Sequence, residues 1–527
     1  MRKLIGLATV GAVLAIALMT IVPAFAAQQS LIQISSDPYT NPTSQHATQV
    51  EPDTFAFGST VVAVFQSGRF FNGGANNIGF ATSVDRGGTW THGFFPATTV
   101  FATPPGRYDR ASDASVAFDA KHNVWISSWL GLIAVNPANE NSFFVDVLVS
   151  RSTDGGLTWG PPVAVAAPHN QFFDKNWSVC DDTPSSPFYG NCYTEFDNNS
   201  RNDLVLMSTS TDGGLTWGAP KPTGDPTDAF SIPAGSTGAH GIGGQPLVQN
   251  DGRVVVPYVG FDDELNNQLG NPTFTISSFV SVNGGSTWSA SSLVSEADFR
   301  SPNGGIRATL PLPSAEVDGS GKVYVSWGDC RFEPQCAVDD LLLSTSTDGT
   351  TWSTAGRIPL DPIGSGVDHF LPGLAVDRSS SGGTAHLALV YYFYPNGSSC
   401  SAATCQLEVG FTSSRNGGSN WSRHETLAGP MSLSWLAQTN QGPMVGDYFS
   451  TSIPPGSMVA VPVFMVATAP NGSVFNEATF ATQQNIVSGP GRMSAQLALG
   501  AEPAVASIHL APAEVGQAVQ RGLPTSR

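Results

Sequence analysis

Charge is scarce in this sequence, and positive charge is the scarcest. Only 12% of the 527 residues are Asp, Glu, Lys or Arg, and 23 basic residues face 41 acidic ones, a formal net charge of −18. Nucleic acids and anionic membrane surfaces are recognised through a basic face, so the balance argues against both as partners. Cysteine is sparse as well, six residues with no C-x-x-C and no histidine at finger spacing, which argues against a zinc site. Beyond the first 27 residues no apolar run is long enough to span a bilayer. Strong helix formers are thin, whereas 56 Gly and 38 Pro, with abundant Ser and Thr, favour many short strands joined by turns.

The opening MRKLIGLATVGAVLAIALMTIVPAFAAQQS sets Arg2 and Lys3 before an apolar run that ends at a small-residue site, Ala24-Phe25-Ala26. That layout is a secretory signal, so residues 1–27 are expected to be removed and the mature chain to be soluble and exported. The cysteines fall in three close pairs, and in an exported chain the simplest pairing is Cys180–Cys192, Cys330–Cys336 and Cys400–Cys405. Bridges over such short loops contribute about 2–3 kcal/mol apiece.

One stretch, STDGGLTWG, is written twice, at 152–160 and 210–218. Near-copies follow the same S-x-D-x-G-x-T-W pattern: SVDRGGTW (83–90), SVNGGSTW (281–288), a shortened STDGTTW (346–352) and SRNGGSNW (414–421). Starts at 83, 152, 210, 281, 346 and 414 give intervals of 58 to 71 residues, an array of equal supersecondary units. Each residue type has a turn-building role. The Asp or Asn accepts backbone N–H groups of its own turn, Gly supplies positive φ, Ser and Thr close local bonds, and Trp plugs the space between units.

Each box is preceded by an apolar strand, a turn and a second strand, as in DASVAFDAKHNVWISSW (113–129), GQPLVQNDGRVVVPYVG (244–260) and PSAEVDGSGKVYVSW (313–327). Four antiparallel strands per unit make an all-β propeller. Inner-strand patterns begin near residues 50, 113, 174, 244, 313, 371 and 444, so seven blades are expected over residues 28–485, with six as the alternative. The last unit lacks its outer strand, and SLIQISSD (30–37) supplies a spare one that would close the ring and remove sheet edges. Residues 486–527, rich in Ala, Pro and Gly, read as a disordered tail.

The six boxes resemble the Asp-box (BNR) repeats of the sialidase superfamily, over residues 30–485. The resemblance implies a propeller fold and glycosidase activity built from an arginine cluster, a Tyr paired with a carboxylate, and an Asp acid/base. It also implies an R-I-P motif ahead of the first box. TQVEPDTFAF (48–57) has no arginine there, and the sole R-I-P string is Arg357-Ile358-Pro359, after the fifth box.

Loops on the face opposite the boxes converge on the channel and are where a ligand site is expected. The catalytic candidates there are Tyr448, Asp447, Asp113 and Asp174: paired carboxylates serve as acid and as base or nucleophile, and a Tyr is a nucleophile only beside an activating group. Substrate-binding candidates are Arg110, Arg307 and Arg69, whose forks suit a carboxylate, with Trp177 for stacking and His369 and His240 as loop histidines. No cofactor is implied, although Asp181-Asp182 and Asp262-Asp263-Glu264 could bind Ca²⁺; neither has a spaced ligand loop. Two functions remain open: an exported sialidase-like glycoside hydrolase on extracellular glycans, and a non-catalytic propeller binding glycan or protein through the same face. The sequence leaves the oligomeric state undetermined.

Overall fold

Short apolar stretches punctuated by Gly, Pro and Asn favour strands that pair with their chain neighbours. The computed structural model describes residues 30–136, 142–225, 237–261 and 274–492, and its strands do so antiparallel throughout. The first sheet runs through Gln49–Phe57, Thr60–Arg69, Ala75–Ser83 and Thr91–Phe94; the second, joined to it by the single Ala75–Ala111 pair, runs through Arg110–Asp119, Val124–Ala134, Phe143–Ser152 and Val163–Ala166. Equivalent meanders start at Phe173–Cys180 (third), Gly241–Ile242 with Leu247–Val248 (fourth), Ser314–Val317 (fifth), Asp368–Val376 (sixth) and Ser450–Ser452 (last). Helix among the described residues is confined to short 3-10 turns, so the chain is all-β. The expected signal (1–27) lies outside the described residues, as does the tail beyond Arg492.

Hydrophobic clusters lie between sheets. Val62, Ile78 and Phe80 of the first sheet pack with Val116, Trp125 and Trp129 of the second, and the other junctions repeat the arrangement. Each sheet is therefore covered on both faces, which is why its strands read as nearly unbroken buried runs. All three expected disulfides form.

The box turns share one bonding pattern. In STDGGLTW, Ser152 Oγ donates to Asp154 Oδ1 (2.8 Å), Gly156 N–H to Ser152 Oγ (2.9 Å), and Thr158 N–H and Oγ to the two Asp154 oxygens (2.9 and 2.6 Å). The Ser–Gly bond recurs at 83–87, 210–214, 281–285, 346–349 and 414–418. That glycine also touches the preceding sheet: a Cβ would stand 2.6 Å from Val62 at Gly156, 2.5 Å from Val255 at Gly349 and 2.8 Å from Leu343 at Gly418. At Gly87 of the first sheet the neighbour is Val461 of the last, at 2.9 Å. Box tryptophans pack the same way, Trp159 lying 4.6 Å from the Phe95 ring.

The innermost strands are laced together. A side-chain acceptor on one takes a backbone N–H of the next: Val116 N to Asp53, Ser178 N to Ser115, Ala315 N to Gln245, Leu374 N to Ser314, and Thr54 N of the first sheet to Ser450 of the last (2.8–3.0 Å). Residues from Asp53 to Ser450 on these strands line a cavity of about 30 Å³. At the N-terminus, Ile32 and Gln33 pair antiparallel with Ala481 and Phe480 of the last sheet. The chain stays with the fold past residue 485: Ile486 is buried, its N–H bonds Met458 O (2.8 Å), and Gly491–Arg492 pairs with Asn420–Trp421.

Candidate functional site

First and third strands of a meander run the same way, so the heads of the inner strands lie on the edge opposite the boxes. Four of those heads carry a β-bulge, with register shifts at Val50/Asp53, Ser112/Ser115, Asp174/Trp177 and Phe370/Pro372. The bulged residue is left-handed each time: Glu51 (φ 55°), Asp113 (48°), Lys175 (47°) and Leu371 (51°). Non-glycine residues in this region cost about 1–2 kcal/mol, and such strain gathers at functional sites. In the first three sheets the bulge carries a charged side chain.

These charges form one electrostatic cluster with residues from the head of the last inner strand and the loop before the fifth. Arg307 grips Asp447 through both oxygens, Nε to Oδ1 at 2.9 Å and Nη2 to Oδ2. Their side chains are 18% and 23% exposed, so a ligand can reach them. Asp447 N–H donates to Glu51 Oε1 (3.3 Å) and Gln66 Nε2 to Glu51 Oε2. Arg69 is buried, donating to Gly74 O (2.6 Å). The Lys175 ammonium sits 3.4 Å from the Tyr448 ring centre and 4.8 Å from that of Trp177, and the two rings meet edge to face at 5.1 Å.

The crowding perturbs protonation. Burial, then Asp113 and Asp447, push the Glu51 carboxyl well above the usual range, against Arg307 and Arg69. Burial and then Asp113 push Asp174 up to about 7. Burial lowers Lys175, against four carboxylates. Burial and then Arg307 bring Arg69 down to about 10. Burial and then Glu51 raise Tyr448, whose hydroxyl donates to Ala114 O (3.2 Å).

The structure thus brings together Tyr448, Asp447, Asp113, Asp174, Arg307, Arg69 and Trp177. It does not bring in Arg110, whose guanidinium lies over Phe70 (4.0 Å) and Phe143 (4.7 Å) and donates to Asn72 and Gly73. His369 is buried between the fifth and sixth sheets beside Tyr391 and Phe393, its pKa lowered to about 4 by burial. His240 bonds Asn202 O (2.6 Å) at the edge of the fourth sheet. Of the acidic pairs considered for Ca²⁺, Asp181 takes Thr183 N and Ser186 Oγ and Asp182 takes Ala120 N, which are turn-capping roles; Asp262, Asp263 and Glu264 lie outside the described residues. Lys175 is among the polar residues that the sequence places on this face, though with no catalytic or binding role, and Glu51 is not among them. The signal available was a charged residue two positions before an inward-facing one at a strand head: E-P-D, D-A-S, K-N-W.

No family model matches the chain, and no curated protein does. Among solved structures it is similar to a leech intramolecular trans-sialidase complexed with 2,7-anhydro-Neu5Ac, at 12% identity and TM-score 0.41 over 68% of this chain and 67% of that one. It is similar to the NanB sialidase of Streptococcus pneumoniae at 14% identity and TM-score 0.39, over 87% and 71%. It is similar to a PL25 ulvan lyase at 9% identity and TM-score 0.45, over 88% and 98%. Likeness at this level assigns no activity.

Proposed function

We propose that the chain is an exported, sialidase-like glycoside hydrolase: a closed seven-bladed propeller acting on extracellular glycans through the cluster opposite its boxes. The observation that carries this reading is the convergence of Asp174 and Asp447 in unlike environments around one arginine. Asp174, half-protonated near pH 7, donates the proton to the departing glycosidic oxygen. Asp447, held by Arg307, supplies the carboxylate that activates water or attacks the sugar. One carboxyl that donates a proton and a second that attacks or activates water is how such hydrolysis is run. Trp177, partly exposed above Lys175, offers a face for a sugar ring, and the buried Tyr448 positions that platform. The ring reading is supported by Gly87 against Val461 and Thr54 against Ser450, both linking the first sheet to the last. Export is supported by three formed disulfides.

The test is the chain from residue 28 against a panel of fluorogenic glycosides that includes a sialoside. Turnover of one member, lost in both Asp174→Asn and Asp447→Asn, is the expected result. No turnover on any member defeats the enzyme reading. The binding-module reading is favoured by a different observation: Arg307 and Asp447 satisfy one another through both carboxylate oxygens. Saturable binding on a glycan array without turnover would select it.

A further inference from the structure

We propose a divalent transition-metal site in the wall between the fifth and sixth sheets, with Asp340, Asp361 and His369 as its ligands. Asp340 opens the third strand of the fifth sheet, Asp361 lies in the connection onward, and His369 is the second residue of the sixth sheet's inner strand. One ligand atom from each lies within 4.8 Å of the other two. His369 is 1% exposed, and its Nδ1 is buried without a hydrogen-bond partner. A buried imidazole nitrogen left unbonded is costly. An ion with ligand bonds of about 2.0–2.2 Å fills that gap.

The surroundings fit a cation with its supports in place. Arg357 donates Nε to Asp340 Oδ2 (2.6 Å), Nη2 to Asp361 Oδ1 (2.6 Å) and Nη1 to Asp361 O (2.8 Å), and Ser365 Oγ donates to Asp361 Oδ2. These bonds orient both carboxylates and leave each with further lone pairs. Glu333 stands 3.8 Å from Arg357, so three carboxyl groups face one guanidinium and the site is short of positive charge. Tyr391 and Phe393, with ring centres 5.5 and 6.1 Å from that of His369, fix the imidazole. One imidazole with two carboxylates selects Zn²⁺ or its neighbours over Ca²⁺, which takes six to eight oxygens. The bound ion would tie the fifth sheet to the sixth.

The experiment uses the full mature chain, stripped with chelator and titrated with Zn²⁺ and, separately, Ca²⁺. Expected are one equivalent of Zn²⁺ retained through dialysis by elemental analysis, a raised thermal midpoint, and visible d–d bands when Co²⁺ replaces Zn²⁺. Asp361→Asn and His369→Gln should each weaken Zn²⁺ binding at least tenfold and abolish the Co²⁺ bands. Asp361→Asn keeps a hydrogen-bond acceptor for Arg357, so it carries the test if His369→Gln fails to fold. Absence of retained Zn²⁺, undiminished binding by the variants, or a midpoint shift with Ca²⁺ in place of Zn²⁺ would overturn the assignment. None of these readouts depends on glycan turnover.

Discussion

Asp174 and Asp447 are the same side chain under two treatments. Burial and Asp113 push Asp174 up to about 7, whereas Arg307 holds Asp447 through both oxygens. If Asp174 is the proton donor, activity needs it protonated, so turnover should fall as pH rises through about 7. Asp174→Asn should then lower kcat by about 10²–10⁴-fold and remove that alkaline limb, which a pH–rate profile reads directly. A limb that survives the substitution would assign the proton to another group, with Glu51 the next to examine. Beneath the cluster, Asp53 is fully buried, raised to about 7 by burial, and accepts Val116 N–H (2.8 Å). Asn at 53 keeps an acceptor without a charge to bury. Asp53→Asn should therefore match or exceed wild-type stability above pH 7 in urea melts, and a loss there would show that the ionised form is needed.

At the scale of the element, the box glycine explains why the motif is repeated so faithfully. Gly156 has φ +83° and leaves no room for a Cβ, which would stand 2.6 Å from Val62 of the preceding sheet. Gly156→Ala should cost about 2–5 kcal/mol, 1–3 from overlap and 1–2 from the left-handed backbone, with denaturant midpoints as the measure. Gly155→Ala should cost only the backbone share, since nothing lies within 4 Å of its Cβ position. Equal losses would remove the packing explanation. Here sequence was informative because turn and packing constraints act on the same few residues, so boxes, strand order and disulfides could all be read. The bulges at the strand heads could not. Glu51 and Lys175 are placed by register shifts against a partner strand, and register is a property of two segments that neither encodes alone. Arg110 and His369 misled for a related reason: their chain positions fit the convergent face, but Phe70 and Phe143 capture one and the wall between two sheets buries the other.

For the whole molecule, two consequences can be measured. Ile32 and Gln33 cover the edge strand Glu477–Ala481, Ile34 is fully buried, and Ser35 Oγ accepts Thr479 N–H (2.9 Å). A chain beginning at residue 37 should lose at least about 2 kcal/mol from Ile34 alone and associate through the bared edge. Wild-type stability and a monomeric elution profile would rule out closure by this strand. The second consequence is the pH dependence of stability. Asp53, Asp174 and Asp182 are each raised from 3.8 to about 7, with burial the largest cause. A raised carboxyl binds its proton in the folded chain over a range where the unfolded chain has released it. Its contribution is thus present at low pH and lost as pH climbs from about 4 through about 7. The box aspartates act oppositely: Asp85 is lowered to about 2, chiefly by Thr89 N–H and the Ser83 and Thr89 hydroxyls, so what it adds is lost as pH falls below about 4. The two sets together place the thermal midpoint highest near pH 4 and declining as pH climbs to about 7, beyond which the net charge of −18 adds self-repulsion. Melts at constant ionic strength from pH 3 to 9 test this, and Asp53→Asn with Asp174→Asn should flatten the alkaline decline. A midpoint that rises from pH 5 to 8 would mean these carboxylates are ionised in the folded chain and their burial does not hold the proton.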